Sequence, residues 1–134
     1  MKDKHVKMYA EMAEVAAKQS YATRLKVGAI AVRDHRILSV GYNGSAPGAD
    51  NVCEDETGKT KPDVIHAEMN LILKMARDGE SGKDADLFIT HSPCFQCANA
   101  ILGVGFKRVW FSDYYRDDAG ISHLEKHGVP VTKI

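Results

Sequence analysis

The chain has 134 residues, 44% hydrophobic and 27% charged, with eighteen basic residues against eighteen acidic ones. That is the size and make-up of one globular domain with its own core, and zero formal net charge lacks the basic excess that grips a long polyanion. The opening MKDKHVKMYAEMAEVAAKQS has no apolar signal-peptide core, and no run approaches the roughly 20 apolar residues that span a bilayer.

In chain order, apolar residues recur at helical spacing from about Lys4 to Gln19 (Val6, Met8, Tyr9, Met12, Ala13, Ala16), predicting an amphipathic helix. VGAIAVR and RILSVGY flank Asp34-His35 and predict a β-hairpin. A long polar stretch, Asn43 to Asp63, follows; loops of that length in a compact domain usually carry function or move. HAEMNLILKMARDG then has helical periodicity and stops at Gly79, a C-terminal cap. ADLFITHS reads as a strand. Ser92 offers an N-cap and Pro93 a first helical position, so the next helix is expected over Cys94 to Leu102. KRVWFS is a strand, GISHLEKHG a short helix and VPVTKI an edge strand. The alternation from Asp63 onward implies βαβ units, hence an α/β sandwich with a mixed sheet.

Three cysteines is an odd number, and Cys94 and Cys97 form a Cys-x-x-Cys pair. Without an export signal this favours metal or redox chemistry over disulfides, in a reducing, cytoplasmic setting. At a helix N-terminus the exposed N–H groups and the dipole favour thiolates. On this pair alone, metal binding and thioredoxin-like chemistry are equally served. His66, with Glu68 two residues on and Pro93-Cys94-x-x-Cys97 downstream, decides for metal: this is the pattern of zinc-dependent base deaminases. His66, Cys94 and Cys97 are three ligands with a fourth position open, as in a catalytic zinc site. Glu68 is then free to carry protons. Positions i and i+2 lie about 200° apart on a helix, so His66 is expected at the loop–helix junction. Cys53, the spare thiol, is expected to stay off the metal. His91 either supports the metal site or packs at its strand end. His5, His35, His123 and His127 read as surface or loop residues.

The chain resembles the cytidine deaminase superfamily and, within it, the deoxycytidylate (dCMP) deaminases. The likeness runs over TRLKVGAIAVRDHRILSVGYNGSAPG (Thr23–Gly48), IHAEMN (Ile65–Asn70), ITHSPCFQCANAI (Ile89–Ile101) and DYYRDD (Asp113–Asp118). The zinc motif identifies the superfamily; GYNG and the downstream tyrosine point to the dCMP branch. The resemblance implies a cytidine deaminase-like three-layer αβα sandwich with a mixed sheet of about five strands. It implies one zinc-dependent domain over residues 1–134, hydrolysing dCMP to dUMP and ammonia as a step toward thymidylate. It puts Asn43 and Ala67 on the nucleotide, Arg24, Lys26 and Arg116 (in that order) on the phosphate, and Tyr115 against the ligand.

The resemblance further implies activation by dCTP, inhibition by dTTP, Mg²⁺ on the effector triphosphate and a homohexamer. The effector is expected in the loop from Asn43 to Asp55, at Gly44, Ser45, Asp50 and Glu54, where the acidic CEDE run would help hold Mg²⁺. Many relatives carry extra histidine and cysteine there for a second zinc; here Cys53 alone remains, which argues against a second metal. No nucleic-acid or membrane partner is expected. The rival is a tRNA adenosine deaminase, or another nucleoside or nucleotide deaminase with the same zinc pattern; zero net charge and GYNG argue against the former. A non-enzymatic zinc-stabilised module would leave Glu68 without a use.

Overall fold

In the computed structural model, which describes residues 1–134, the apolar stripe Val6, Tyr9, Ala13 and Ala16 buries one face of α1 (Asp3–Ala17). β1 (Gly28–Arg33) and β2 (Arg36–Tyr42) form the expected hairpin. Its turn residues Asp34 and His35 have φ of 52° and 61°. Two successive left-handed residues match the twist of a tight hairpin, and Asp and His are among the few side chains that tolerate them. There follow α2 (Ala67–Asp78), β3 (Asp86–His91), α3 (Phe95–Val104), β4 (Arg108–Asp113), α4 (Ala119–Lys126) and β5 (Val131–Lys133). Gly79 ends α2 at φ 70°, in the left-handed cap expected of it.

The strands lie in the order β2-β1-β3-β4-β5. β1 is antiparallel to both β2 and β3, whereas β3–β4 and β4–β5 are parallel. Parallel neighbours need a crossover, which α3 and α4 supply. The period of two is plain in β1, where Ala29 and Ala31 enter one core and Ile30 and Val32 the other. The larger core joins Leu71 of α2, Leu87 and Ile89 of β3, Ile101 of α3 and Leu124 of α4. The smaller packs α1 onto Ile30, Val32 and Phe88. The result is a three-layer αβα sandwich around a mixed five-stranded sheet, as expected.

Two features aim the sheet at the site. Gly41 of β2 crosses the first turn of α2 so closely that a Cβ there would collide with the Ala67 carbonyl oxygen. Asn70 ties the same turn down, its Nδ2 donating to Tyr42 O at 2.9 Å. The start of α3 corrects the sequence reading. Ser92 does not cap it; Ser92 is buried, and its Oγ accepts from Tyr115 N at 2.7 Å. Ser92 to Cys94 therefore precede the helix, Cys94 becomes the N-cap, and α3 runs two residues beyond Leu102 to Val104. No helix is long and apolar enough to cross a membrane.

Candidate active site

Two helix N-termini meet at one point. His66 caps α2 with extended backbone (φ −66°, ψ 155°), and Cys94 caps α3 in the same way (φ −72°, ψ 169°). The Nδ1 of His66 lies 3.5 Å from Cys94 Sγ and 3.5 Å from Cys97 Sγ. All three ligand atoms fall within 4.8 Å of one another. A tetrahedral zinc at ~2.3 Å from sulfur and ~2.0 Å from nitrogen sets those atoms about 3.5 Å apart. The spacing and the donor set both fit zinc, with a fourth position left for water.

The protons are unevenly held. Burial pushes the Glu68 carboxyl up to about 7, against backbone hydrogen bonding that favours its charge. A carboxyl poised near neutrality can take and return a proton. Hydrogen bonds from Cys97 and His66 pull the Cys94 thiol down to about 4, with the Cys97 backbone N–H adding to them. Cys97, more deeply buried, is pushed up by its bond to Cys94, by desolvation and by the Glu68 charge. The bond to Cys94 raises His66. The group titrates as one unit, with the negative charge first on Cys94.

Above this floor opens a cleft of about 620 Å³. His66, buried Glu68 and Cys94 line it, together with the exposed cations Arg24, Lys59 and Arg116, which form its mouth toward solvent. Elsewhere Arg33, Arg36, Arg77 and Arg108 are all paired with carboxylates. None of the three cleft cations has a carboxylate within 4.0 Å. Glu54, the carboxylate at the mouth, faces neutral donors instead: it accepts from Thr23 N, Thr23 Oγ1 and Arg24 N at 3.0–3.3 Å.

Of the residues expected from sequence, Arg24, Asn43, Ala67, Tyr115 and Arg116 line this cleft together with the metal group. Cys97 is buried beneath it and Lys26 does not line it. The amide of Asn43 braces the segment before β1: Oδ1 accepts from Val27 N at 2.9 Å and Nδ2 donates to Leu25 O at 2.8 Å. Gly44 and Ser45 line a second hollow of about 270 Å³, beside Tyr42 and Lys74. Asn43 and Cys53 border both spaces. Asp50 borders neither and accepts from Val52 N, while Glu54 lies in the main cleft rather than the hollow. Cys53 is buried and outside the metal group.

Sequence reasoning missed Lys59, Thr60 and Tyr114 as cleft residues and left His91 undecided; His91 lines the cleft, its Nδ1 3.0 Å from Thr90 Oγ1. Thr57-Gly58 marks a turn (Gly58 φ 83°), but nothing in the spacing says where its arms go.

A histidine and two cysteines at facing helix ends of an αβα sandwich, with a buried glutamate beside them, define a zinc-dependent deaminase. Residues 3–113 match the family described as the cytidine and deoxycytidylate deaminase zinc-binding region, and the chain belongs to that family. It is 36% identical over 134 residues to ComE operon protein 2 of Bacillus subtilis, covering 94% of this chain and 69% of that one. It is 35% identical over 112 residues to deoxycytidylate deaminase of Mycobacterium phage D29, covering 73% and 86%. The crystal structure of dCMP deaminase from the cyanophage S-TIM5, in complex with dCMP and dUMP, is 42% identical. It superposes over 100% of this chain and 99% of that one with a TM-score of 0.98.

Proposed function

We propose that this chain hydrolyses dCMP to dUMP and ammonia, as a step toward thymidylate. The observation that carries the reading is one cleft joining a His66–Cys94–Cys97–Glu68 floor to a mouth of three unpaired cations. The floor suits an amidine carbon in a heterocycle; the mouth suits a phosphate dianion. The relatives named as deoxycytidylate deaminases support the same choice.

Zinc held by His66, Cys94 and Cys97 supplies the Lewis acidity that makes water a nucleophile near neutral pH. The chain's own residues do the rest. Glu68 takes one proton of the attacking water and passes it to N3 of the cytosine; it then takes the second, from the hydroxyl now on C4, and delivers it to the departing amine as the C4 carbonyl forms. Asn43 fixes the cleft wall and keeps one amide hydrogen for the nucleotide; Ala67, without bulk, lets the ring approach the helix start. Arg24 and Arg116 face the phosphate, Arg116 lying 5.6 Å over the Tyr115 ring.

Residues 1–134 act as one deaminase domain in the cytoplasm. We assign the 270 Å³ hollow at Gly44 and Ser45, with Lys74 as its cation, to the effector triphosphate and its Mg²⁺, dCTP activating and dTTP inhibiting, within a homohexamer. Ammonia release from a nucleotide panel, with and without dCTP and dTTP, tests the reading. Turnover of dCMP ahead of deoxycytidine and of a tRNA anticodon stem supports it; turnover of the tRNA alone defeats it.

A further inference from the structure

Inside the polar stretch Asn43 to Asp63 sits a small closed hairpin. Lys61 N donates to Cys53 O at 2.8 Å, Asp55 N to Lys59 O at 2.8 Å and Gly58 N to Asp55 O at 2.9 Å. Asp55 Oδ1 braces the tip from within, accepting from Thr57 N at 2.8 Å, Thr57 Oγ1 at 2.6 Å and Lys59 N at 3.1 Å. The base is anchored by buried Cys53, and Glu54 bridges to Thr60. One tie crosses the cleft mouth: the Glu54 carboxylate, which grips Thr23 and Arg24 about thirty residues away in sequence.

This clasp decides which cations meet in the cleft. Lys59 is the lysine of the hairpin that lines it; Lys61, two residues on, does not, and neither does Lys26. Lys59 has its backbone N–H fixed by Asp55 and its ammonium free of any carboxylate partner. With Arg24 and Arg116 it gives the mouth three positive charges against Glu54. The Glu54 oxygens point at N–H and O–H donors, and although some loss of water pushes its carboxyl up, the bonds from Arg24 and Thr23 outweigh this and hold it below the usual range. It is therefore an ionised, donor-filled latch rather than a free anion that would repel phosphate.

We propose that the Cys53–Lys61 hairpin is the phosphate-selecting element of the cleft: Lys59 contacts the 5′-phosphate of the nucleotide, and Glu54 is the positioning residue that sets the hairpin against Arg24. This rests on the proposed dCMP reaction and adds to it how a monophosphate is told from a nucleoside. A charge-assisted contact to phosphate in a partly enclosed mouth changes affinity roughly tenfold or more.

The test compares dCMP with deoxycytidine, measuring kcat and KM, and dUMP binding by calorimetry on the full chain. Lys59→Met should raise KM for dCMP and Kd for dUMP roughly tenfold, leave kcat within about twofold and leave deoxycytidine unchanged, with Lys59→Arg restoring most of the loss. Equal effects on nucleotide and nucleoside, or no effect on either, overturn the role of Lys59. Glu54→Ala should raise KM for dCMP at constant kcat, and Glu54→Gln, which keeps an acceptor oxygen, should recover part of it. Tighter dCMP binding in Glu54→Ala, as loss of a bare negative charge predicts, overturns the positioning role. If the unaltered chain turns over neither substrate, the proposed reaction fails, while dUMP calorimetry on Lys59→Met still decides the hairpin's part.

Discussion

His66 and Glu68, two residues apart, face one cleft because only Glu68 is helical. His66 is the extended N-cap, Glu68 the second residue of α2. On a continuous helix they would point about 200° apart. The bend at the junction puts an imidazole and a carboxyl on the same space, one to hold a cation and the other to move protons beside it. Gly41, Asn70 and the Ala67 carbonyl hold that junction against β2, so the arrangement is fixed by the sheet rather than by the loop.

Replacing Glu68 by Gln keeps the shape and removes the proton carrier. Turnover of dCMP should fall at least 10²–10⁴-fold, the usual contribution of general acid–base catalysis. Zinc content by elemental analysis should remain at one per chain. A variant with half the parental kcat would end the assignment of Glu68 as proton carrier.

The same change has a pH-dependent effect on stability. In the metal-free protein the Glu68 carboxyl titrates at about 7 instead of 4.5, so between those values the folded state keeps a proton that the unfolded chain releases. Stability contributed by protonated Glu68 is complete below pH ~4.5 and lost as pH rises through ~7. Glu68→Gln lacks that loss. Urea unfolding after chelation should find it more stable than the parent at pH 8 and equal to it near pH 4.5. Equal stabilities at pH 8 would show that the carboxyl is not held up by burial.

His66 and both cysteines are needed together. His66→Ala and Cys97→Ser should each lose bound zinc and activity. Chelation of the unaltered protein should lower its Tm, with recovery on adding zinc. The stabilisation expected at a thousandfold excess of zinc over Kd is about 4 kcal/mol. Full zinc retention in Cys97→Ser would remove that sulfur from the ligand set.

The parts of this molecule governed by neighbours in sequence were legible. α2 announced its ends through its apolar period and Gly79, and the hairpin through paired β-rich runs around Asp34-His35. The metal group was legible because each half is local, His66-x-Glu68 and Cys94-x-x-Cys97, and short spacing fixes local geometry. The start of α3 was misread because Ser92, a good cap by type, is taken by Tyr115, a contact between distant segments. The lining of the cleft was hidden for the same reason. Lys26 lies two residues from Arg24 in sequence, yet it is Lys59 that shares Arg24's cleft, from the hairpin whose Glu54 carboxylate accepts from Arg24 N. The contacts of Glu54 were hidden too, because CEDE shows its charges but not the Thr23 and Arg24 donors that its carboxylate accepts from.

Two glycine positions separate helix propensity from packing around the site. Gly103, exposed in α3, has nothing within 4 Å of an added Cβ, so Gly103→Ala should stabilise the protein by roughly 0.5–1 kcal/mol. Gly120, in the first turn of α4, should behave in the opposite way. Its added Cβ would collide with the Pro93 carbonyl oxygen and come within 2.8 Å of Cys94 O. The obstruction is backbone, which cannot rotate aside, so the same propensity gain is overwhelmed by an overpacking cost of about 1–3 kcal/mol or more. The strain falls on the residues that aim Cys94, so Gly120→Ala should also weaken zinc binding while Gly103→Ala leaves it unchanged. Denaturant midpoints and zinc competition with a chromophoric chelator measure both effects. Normal zinc affinity in a destabilised Gly120→Ala would mean that α4 supports the fold without setting the position of the thiolate.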